Sequence, residues 1–319
     1  MVTRIRVPVL SIGNISTGGT GKTPFVEMLA RKLLSKGRKP AVLSRGYGRR
    51  TQGFIMVSVG EGAMASAKDV GDEPVELANR LRTAFVAVGE DRVGAAKRIL
   101  VESSADCIVL DDGFQHRYLY RDSNVVLLTA RELLEVGWLL PAGNLRESRT
   151  SLKRADVVVI SKCDDIHQFQ RAKEKLPAWI SDRTAGFRLT PQSLRNVSTD
   201  ERIDHRTVPG TPVMIFSGLG DPRSFRQSVE EYGLVVVRNS EFPDHHWYTA
   251  NDLAGLRTEF DLSGAKFMIT TEKDFVRLRA LEETYEGFVD ETRLHVLEIA
   301  LEFVAGEEII DAMIEKVME

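Results

Sequence analysis

The sequence is poor in cysteine, and its cysteines carry no metal or disulfide pattern. Cys107 and Cys163 are the two cysteines among 319 residues, and each sits in a short apolar run. Neither has the spacing of a zinc site, and two isolated thiols do not make the framework of a small disulfide-stabilised protein. We therefore expect two buried packing residues in a reducing compartment.

Long hydrophobic runs are also lacking. A membrane-spanning helix needs roughly 18–20 consecutive apolar residues, and no run in this chain approaches that length. No charged segment followed by a short apolar core resembles a signal peptide. Hydrophobic residues make up 43% of the chain and charged residues 28%, which is typical of a globular protein with two domains or one large one.

Acidic residues are scarce at one end of the chain. Residues 1–50 contain eleven Lys or Arg and one acid, Glu27, although the net charge of the whole chain is −3. This part therefore carries +10 and the remainder −13. Such a basic segment can face nucleic acid, an anionic membrane surface or a phosphorylated substrate. A solvated basic surface without a partner explains the asymmetry equally well.

A glycine-rich loop follows the first apolar strand. Residues 7–14 read as a strand and residues 24–36 as a helix, and Gly18-Gly19-Thr20-Gly21-Lys22-Thr23 lies between them. Glycines let successive N–H groups point at phosphate oxygens, Lys22 can reach the β- and γ-phosphates, and the Thr23 hydroxyl can ligate Mg²⁺. The motif G-x-x-x-x-G-K-[ST] expects Gly where Ser16 stands, so the match is near rather than complete. The segment predicts a nucleotide-binding loop.

Strand and helix patterns alternate along the rest of the chain. This alternation, with short apolar strands, predicts an α/β protein: a P-loop NTPase-type α/β/α sandwich with a second, smaller α/β domain. A polar stretch at 181–212 contains three prolines and is the candidate linker. We expect a nucleotide-binding and catalytic domain at 1–205 and a smaller domain at 206–319 that closes over the substrate. The terminal helix can pack on either domain.

Two acidic segments are candidates for chemistry. The apolar run at 107–110 ends in Asp111 and Asp112, and a carboxylate after such a strand is the usual partner of a phosphate loop beside Mg²⁺. A polar turn at a strand end is the simpler alternative. Asp72 lies in Gly71-Asp72-Glu73-Pro74, where spacing alone favours a helix N-cap over a general base.

Two other classes of phosphate-loop protein are open alternatives. Ser161-Lys162-Cys163-Asp164 is similar to the N/T-K-x-D element with which GTPases and GTP-dependent metallochaperones read guanine, but its first residue is Ser. No convincing switch-type D-x-x-G accompanies it. A ParA/MinD-like positioning ATPase carries Lys at the start of the loop, where this chain has Thr17.

Taken together, these motifs resemble the tetraacyldisaccharide 4′-kinase family, the lipid A 4′-kinases. The matching segments are Ser11–Asn14 with Gly18–Thr23, Leu43–Tyr47, Gly71–Pro74, Leu110–Arg117, Pro141–Glu147, Phe216–Gly220, Phe242–His245 and Thr270–Asp274. They occur in family order across most of the chain, so the resemblance is far more specific than the phosphate loop alone.

The resemblance implies a two-domain enzyme that is peripheral on the cytoplasmic face of the inner membrane. Its reaction would move the ATP γ-phosphoryl group to the 4′-hydroxyl of an acylated glucosamine disaccharide 1-phosphate, giving lipid IVA in lipid A biosynthesis. ATP and Mg²⁺ are the implied cofactors, and no nucleic-acid partner is expected. Family members usually begin with an apolar helix, whereas this chain starts at its first strand. Arg45, Arg49 and Arg50 are then candidates to bind anionic headgroups or the substrate's 1-phosphate.

The resemblance also implies a role for each site residue. Asp72 is the expected base, His245 assists it, and Lys22 is the third catalytic residue. Residues expected to bind ATP are Gly18, Gly19, Thr20, Gly21, Lys22 and Thr23; expected metal-side residues are Thr23, Asp111, Asp112 and Glu147; expected substrate residues are Arg45, Gln115, His116 and Arg146. Because His245 lies past the linker, it can meet Asp72 only if the domains close over the substrate.

Overall fold

The computed structural model of the protein describes residues 1–135, 137–281, 287–288 and 293–319. Its strands are β1 (Val9–Asn14), β2 (Pro40–Ser44), β3 (Ile55–Val59), β4 (Phe85–Val88), β5 (Cys107–Leu110), β6 (Ser123–Thr129), β7 (Val157–Ser161), β8 (Thr184–Asn196), β9 (Arg202–Ile203), β10 (Pro212–Ser217), β11 (Val235–Glu241), β12 (Phe267–Thr270) and β13 (Leu294–Ala305). Its α-helices are α1 (Lys22–Ser35), α2 (Ala67–Val70), α3 (Asp72–Arg80), α4 (Arg92–Glu102), α5 (Ala130–Leu134), α6 (Ile166–Lys173), α7 (Ala178–Ser181), α8 (Pro222–Glu231), α9 (Ala250–Ser263), α10 (Glu272–Leu278) and α11 (Glu307–Met318).

The chain forms two compact units. Unit 1 comprises Met1–Arg188 and Leu301–Glu319, and unit 2 comprises Leu189–Ala300. The chain passes from one unit to the other within β8 and returns within β13. The structural boundary therefore falls at residue 188 rather than near 205, and α11 belongs to unit 1. The predicted division into a catalytic domain and a domain that closes over the substrate stays a prediction.

Unit 1 is built on a mostly parallel sheet. Its strand order is β8–β7–β6–β1–β5–β2–β4–β3, and each neighbouring pair is parallel except β3 with β4. All residues of β1, β2, β5 and β7 are buried. Because successive side chains of a strand point to opposite faces, complete burial means that both faces of these strands are covered. The predicted α/β class is confirmed.

Helix α1 shows why the first helix forms where it does. Its apolar residues Phe25, Val26, Leu29 and Leu33 are fully buried, and their helical spacing puts them on one face. Burying each such side chain contributes about 1.5–3 kcal/mol. The helix ends before Gly37, whose φ of +76° is one that glycine adopts easily.

The terminal helix α11 lies against α1. Lys32 Nζ is 2.7 Å from Glu307 Oε1 and 2.8 Å from Asp311 Oδ1, and Lys36 Nζ is 3.0 Å from Glu315 Oε1. These pairs use basic residues of the first fifty and acidic residues of the last thirteen. The charge asymmetry of the sequence is thus partly cancelled inside unit 1.

The strands of unit 2 lie in the order β11–β10–β12–β13, and each neighbouring pair is parallel. Strands β10 and β12 are almost wholly buried, and Phe216, Met268 and Leu253 share one apolar cluster while Ile215 and Phe225 share another. These clusters cover the two faces of the sheet, as expected for alternating side chains.

The predicted linker at 181–212 is wrong. Residues 184–196 form strand β8, whose first four residues are buried, and β9 pairs with it in antiparallel fashion. Polar residues and Pro191 suggested an irregular segment, yet pairing with β7 and β9 satisfies backbone groups that propensity alone leaves open.

The cysteines and the hydrophobic runs can be compared with what the sequence predicts. Cys107 and Cys163 are free and buried, as predicted, and burial raises the pKa of the Cys163 thiol to about 12. Within the described parts of the chain, no helix is both long enough and apolar enough to cross a membrane.

Candidate active site

Loops that follow neighbouring parallel strands meet at one edge of the unit 1 sheet. Strands β1, β5 and β2 are adjacent and parallel, so their carboxyl ends lie together. The loop after β1 is the glycine-rich segment, the loop after β5 begins with Asp111, and the loop after β2 begins with Arg45. Ligands of open α/β sheets bind at this edge.

The glycine-rich loop has the backbone geometry that its sequence predicts. Gly18 has φ +112° and Gly21 has φ +80°, and Gly21 forms the N-cap of α1. A Cβ on Gly21 would lie 3.2 Å from the Phe187 ring, so glycine also suits the tight packing there. Asn14 Nδ2 donates to Thr20 Oγ1 at 3.2 Å and ties the end of β1 to the loop. The N-terminal end of α1 is thus held next to the loop, as an anion site requires.

Ser16, the departure from the usual motif, does not take a positive φ. It is fully buried and forms an antiparallel bridge with Leu145. The backbone conformation at this position therefore does not need glycine. Ser16 is therefore compatible with the conformation of this loop.

A second loop, residues 138–147, is tied to the glycine-rich loop. The N–H of Thr17 donates to Asn144 O at 2.7 Å, and the N–H groups of Arg146 and Glu147 both donate to Ile15 O, at 2.7 and 3.2 Å. These bonds fix the backbone positions of Arg146 and Glu147 next to the glycine-rich loop. Sequence analysis singled out both residues, and the structure brings both to the phosphate loop.

Lys22 and Arg146 share one carboxylate. Lys22 Nζ lies 3.4 Å from Asp112 Oδ1, and Arg146 Nη1 lies 3.2 Å from Asp112 Oδ2. Although burial opposes ionisation, these two cations hold the pKa of Asp112 below its ordinary value. Asp112 is therefore ionised, and it holds Lys22 at the end of the glycine-rich loop.

Asp111 has a different environment from its neighbour. It is 2% exposed, and Ser44 Oγ donates to its Oδ2 at 3.1 Å. Burial, and then the negative charge of Glu73, raise the pKa of Asp111 to about 6. A buried carboxylate next to other acids favours a cation beside it.

Glu147 sits among cations and a donor. Gln115 Nε2 donates to its Oε1 at 3.2 Å, Arg117 Nη2 lies 3.4 Å from its Oε2, and Arg154 also bonds it. Gln115 Nε2 donates in addition to Asn14 O at 2.9 Å. Gln115 thus joins the loop after β5 both to the end of β1 and to Glu147. The expected role of Glu147 on the metal side stays a prediction.

Asp72 lies at the start of α3, but it is not the N-cap that its spacing favoured. The cap position is Gly71, which lies between α2 and α3 and has φ +96°. Asp72 is the first helical residue, 5% exposed, and its Oδ1 accepts from the N–H of Glu73 at 3.0 Å. A Cβ on Gly71 would lie 3.1 Å from Tyr47 O, so the start of α3 packs on the loop after β2.

The expected substrate residues lie on the rim of this edge. Arg45, Gln115 and Arg146 are exposed, and His116 is partly buried. Burial and the charge of Arg92 lower the pKa of His116, so its imidazole is neutral near pH 7. The set therefore offers cations and neutral hydrogen-bonding groups.

Arg92 is a site residue that sequence analysis missed. It is 1% exposed at the start of α4 and donates to Gly89 O. Burial lowers its pKa to about 10, with the charges of Asp111 and Asp112 opposing the shift, so it stays charged. It follows β4 at the same carboxyl edge, and that position was the signal that could have found it.

His245 belongs to unit 2, not to the unit that contains the glycine-rich loop. It lies in the loop between β11 and α9 with φ +59°. Its Nδ1 is 3.2 Å from Arg277 Nη2, and its Nε2 is 3.9 Å from Asp244 Oδ1. The expectation that His245 assists Asp72 stays a prediction.

Thr23, Asp111 and Asp112 fit a magnesium–nucleotide site. In the described residues, no three His, Cys, Asp or Glu side chains form a cluster that could hold a metal by themselves. Magnesium at nucleotide sites is bound through one or two carboxylates and the phosphates, so such a cluster is not needed. Asp111 is buried, and the negative charge of Glu73 adds to burial in raising its pKa, so this carboxylate suits a cation beside it.

The chain is similar to known proteins over its whole length. The family model described as tetraacyldisaccharide-1-P 4′-kinase matches residues 2–319. A protein of Anaeromyxobacter dehalogenans (strain 2CP-1) named tetraacyldisaccharide 4′-kinase is 37% identical, over 98% of this chain and 82% of that protein. A protein of the same name from Chlorobium phaeobacteroides (strain DSM 266) is 35% identical, over 98% of this chain and 88% of its own length.

A solved structure also resembles this one. It is titled an "apo" form of LpxK from Aquifex aeolicus in complex with ATP, at 2.2 Å resolution. Its TM-score is 0.78 and its sequence identity is 32%, with 100% of this chain and 90% of that chain covered. The likeness therefore extends beyond the phosphate loop to both ends of the chain.

Proposed function

Because the chain belongs to the tetraacyldisaccharide-1-P 4′-kinase family, we propose how the unit 1 site carries out the family's reaction. The chain is an ATP-dependent kinase that transfers the γ-phosphoryl group to the 4′-hydroxyl of tetraacyldisaccharide 1-phosphate, giving lipid IVA in lipid A biosynthesis. The observation that carries the proposed site is Lys22, held by Asp112 at the end of a glycine-rich loop.

On the nucleotide side, the loop amides and Lys22 bind the phosphates. Phosphoryl transfer asks a protein mainly for positioning and for compensation of negative charge. Mg²⁺, held through Thr23, Asp111 and Asp112, would neutralise phosphate charge when it is bound. Lys22 and Arg146 both pair with Asp112. The carboxylate thus holds both cations next to the glycine-rich loop, where we propose that the phosphates bind.

On the acceptor side, Asp72 takes the proton of the attacking hydroxyl. A sugar hydroxyl is a weak nucleophile, so a carboxylate that accepts its proton speeds the step. Asp72 is suited to this because its helix position is fixed by Gly71 and its Oδ1 is oriented by the N–H of Glu73. His245 assists Asp72 in this proposal.

The acceptor's own anionic group requires cations on the rim. Arg45 follows β2 and lies on the same sheet edge as Asp111. A guanidinium presents paired donors that match phosphate oxygens. We assign Arg45, with Gln115, His116 and Arg146, to the sugar and phosphate groups of the acceptor.

A peripheral contact with the anionic inner face of the inner membrane completes the proposal. Trp138, Leu139 and Leu140 are three consecutive exposed apolar side chains in the loop tied to the phosphate loop. Tryptophan and leucine suit the boundary between headgroups and acyl chains, and nearby basic residues add attraction to anionic lipid. The loop thus offers a route by which an acylated acceptor and the site could meet.

GTP-dependent switches are the rival class. The Ser161 hydroxyl, at the first position of the possible guanine element, is fully buried and donates to Leu128 O at 3.4 Å. That bond belongs to the pairing of β6 with β7 rather than to a ligand. We therefore propose ATP as the phosphoryl donor.

A transfer assay tests the proposal. The protein is incubated with γ-labelled ATP, Mg²⁺ and tetraacyldisaccharide 1-phosphate, and the label is followed into the lipid product. We expect labelling that unlabelled ATP suppresses far better than GTP, and none with an acceptor whose 4′-hydroxyl is methylated. Equal labelling of the methylated acceptor would overturn the assigned position of transfer.

A further inference from the structure

Helices α1 and α3 each carry a row of residues at intervals of four, and each row begins at the proposed site. The row on α1 is Thr23, Glu27 and Arg31, and the row on α3 is Asp72, Glu76 and Arg80. Residues four positions apart lie on the same side of a helix, one turn apart. Each helix therefore has a site residue at one end of its row and charged residues along the rest.

Arg80, the last residue of α3, joins the two rows. Its Nη1 lies 3.2 Å from Glu27 Oε2 on α1 and 3.5 Å from Glu76 Oε1, one turn back on α3. The side chains of Arg80, Glu27 and Glu76 are 16%, 14% and 7% exposed, so their charges are screened far less than those of exposed pairs. The guanidinium thus links a carboxylate of one helix to a carboxylate of the other.

Arg31 of α1 adds a second link to the end of α3. Its Nη2 donates to Arg80 O at 2.8 Å, and its Nε donates to Glu27 Oε1 at 2.9 Å. Carbonyl groups in the last turn of a helix have no partner within that helix, so this donor satisfies one of them. Two arginines and two glutamates therefore form a charge-balanced network between α1 and the far end of α3.

Of the two helices, α3 depends more on this network for its position. Helix α1 has 14 residues and buries four large apolar side chains completely. Helix α3 has nine residues, of which Leu77 and Ala78 are completely buried. Loss of the network should therefore displace α3 before it displaces α1. Asp72 is the first residue of α3 and would move with it, whereas Lys22, at the start of α1, would stay in place.

We propose that Arg80 is a positioning residue which, by joining Glu27 to Glu76, holds Asp72 at a fixed distance from the loop that binds ATP. This inference adds to the proposed function and rests on the role given there to Asp72. Transfer needs the acceptor oxygen in line with the γ-phosphoryl group, and a misplacement of about 1 Å can cost about 100-fold in rate. Glu27, the one acid among the first fifty residues, thus contributes to the geometry of the site.

Single-turnover transfer in two backgrounds tests this role. Arg80→Met is introduced into the wild-type protein and into Asp72→Asn, and transfer from γ-labelled ATP to tetraacyldisaccharide 1-phosphate is followed. We expect a rate lower by about 10–100-fold in the wild-type background with wild-type affinity for ATP. In Asp72→Asn we expect little further loss, because the effects of residues that act as a unit do not add. An unchanged rate, an equal loss in both backgrounds or a matching loss of ATP affinity overturns the proposal.

Further variants separate positioning from stability. Arg80→Lys keeps a cation between the two carboxylates and should recover most of the transfer rate, and a rate as low as that of Arg80→Met would contradict the proposal. Arg226→Met is the matched control, because Arg226 Nε lies 2.8 Å from Glu230 Oε1 in a pair within the single helix α8. It should transfer at the wild-type rate. If Arg80→Met does not fold, Glu27→Gln breaks the same link from α1 and must show the same dependence on Asp72.

The two proposals fail in different ways. Absence of transfer by the wild-type protein would overturn the proposed function. A wild-type rate in Asp72→Asn would overturn the role of Asp72 as the base. With an active wild type and a slow Asp72→Asn, an equal loss from Arg80→Met in both backgrounds would overturn only the role given to Arg80.

Discussion

At the scale of single residues, charge distribution separates two adjacent aspartates. Asp112 has two cations against its carboxylate, which lower its pKa, while Asp111 is buried beside acidic neighbours, which raise its pKa to about 6. The pKa values of these two adjacent carboxyl groups are thus shifted in opposite directions. Asp112 orients Lys22, and Asp111 is the carboxylate that most needs a bound cation.

Lys22 is predicted to contribute both to ATP binding and to phosphoryl transfer. Lys22→Met removes a cation from the phosphate site, so we expect weaker ATP binding and a kcat lower by about 10²–10³. Isothermal titration with ATP and steady-state kinetics measure the two effects. Lys36→Met is the matched control, since Lys36 caps the C-terminal end of the same helix and forms an exposed pair with Glu315, and such pairs contribute little to stability. Equal effects of the two substitutions would remove Lys22 from the site.

The residues of the site could be predicted to different degrees. Lys22 and Thr23 follow from a motif with a known mechanism, and Asp111 and Asp112 follow from their place after a strand. Arg92 was missed because a lone arginine at a helix start has no motif, and its importance comes from burial near two carboxylates. The contact between Arg277 and His245 joins residues 32 positions apart, which no local pattern reveals.

At the scale of elements, the start of α3 depends on one glycine. Gly71 has φ +96° and ψ 155°, a region that residues with a Cβ occupy at a cost of about 1–3 kcal/mol. An added Cβ would also lie 3.1 Å from Tyr47 O. Gly71 therefore fixes both the direction of α3 and its distance from the loop after β2.

Gly71→Ala tests this dependence. We expect a lower Tm and a large loss of kcat, because Asp72 moves with the helix start. Gly37→Ala is the control: Gly37 also has a positive φ, +76°, but an added Cβ would meet nothing described within 4 Å. It should lower Tm, by the strain of about 1–2 kcal/mol for a left-handed residue, and leave kcat unchanged. A similar loss of kcat in both variants would contradict the role given to Gly71.

Most elements could be predicted because apolar spacing and burial agree. Strand β5 has the bounds of the apolar run at 107–110, and α1 begins two residues before its predicted start at residue 24. Strand β8 could not be predicted, because its polar second half is stabilised by pairing rather than by an apolar pattern. Non-local hydrogen bonds decide such segments.

At the scale of the whole molecule, the uneven charge of the sequence is redistributed by the fold. Among the described residues, seven of the eleven basic residues in the first fifty lie within ion-pair distance of an acid: Arg4, Lys22, Arg31, Lys32, Lys36, Arg38 and Arg49. Much of the charge that suggested an anionic partner is thus balanced within unit 1. A membrane contact then needs apolar insertion as well as basic residues.

Flotation with liposomes tests that contact. We expect the protein to float with vesicles rich in anionic lipid at low salt and less at high salt, because charge attraction is screened. Trp138→Ser should reduce flotation, since Trp138 is 65% exposed in an apolar loop. Trp179→Ser, at a 43% exposed tryptophan on α7, is the control and should have little effect. Flotation that ignores both salt and Trp138 would contradict the proposed surface.

The central claim is that Asp72 accepts the proton when the phosphoryl group is transferred, while ATP is bound elsewhere in the same site. Single-turnover transfer from ATP to tetraacyldisaccharide 1-phosphate by Asp72→Asn tests it most directly, with Asp69→Asn on α2 as the control. We predict a transfer rate lower by about 10²–10⁴ for Asp72→Asn, with wild-type affinity for ATP and a wild-type rate for Asp69→Asn. An unchanged transfer rate in Asp72→Asn would contradict the account.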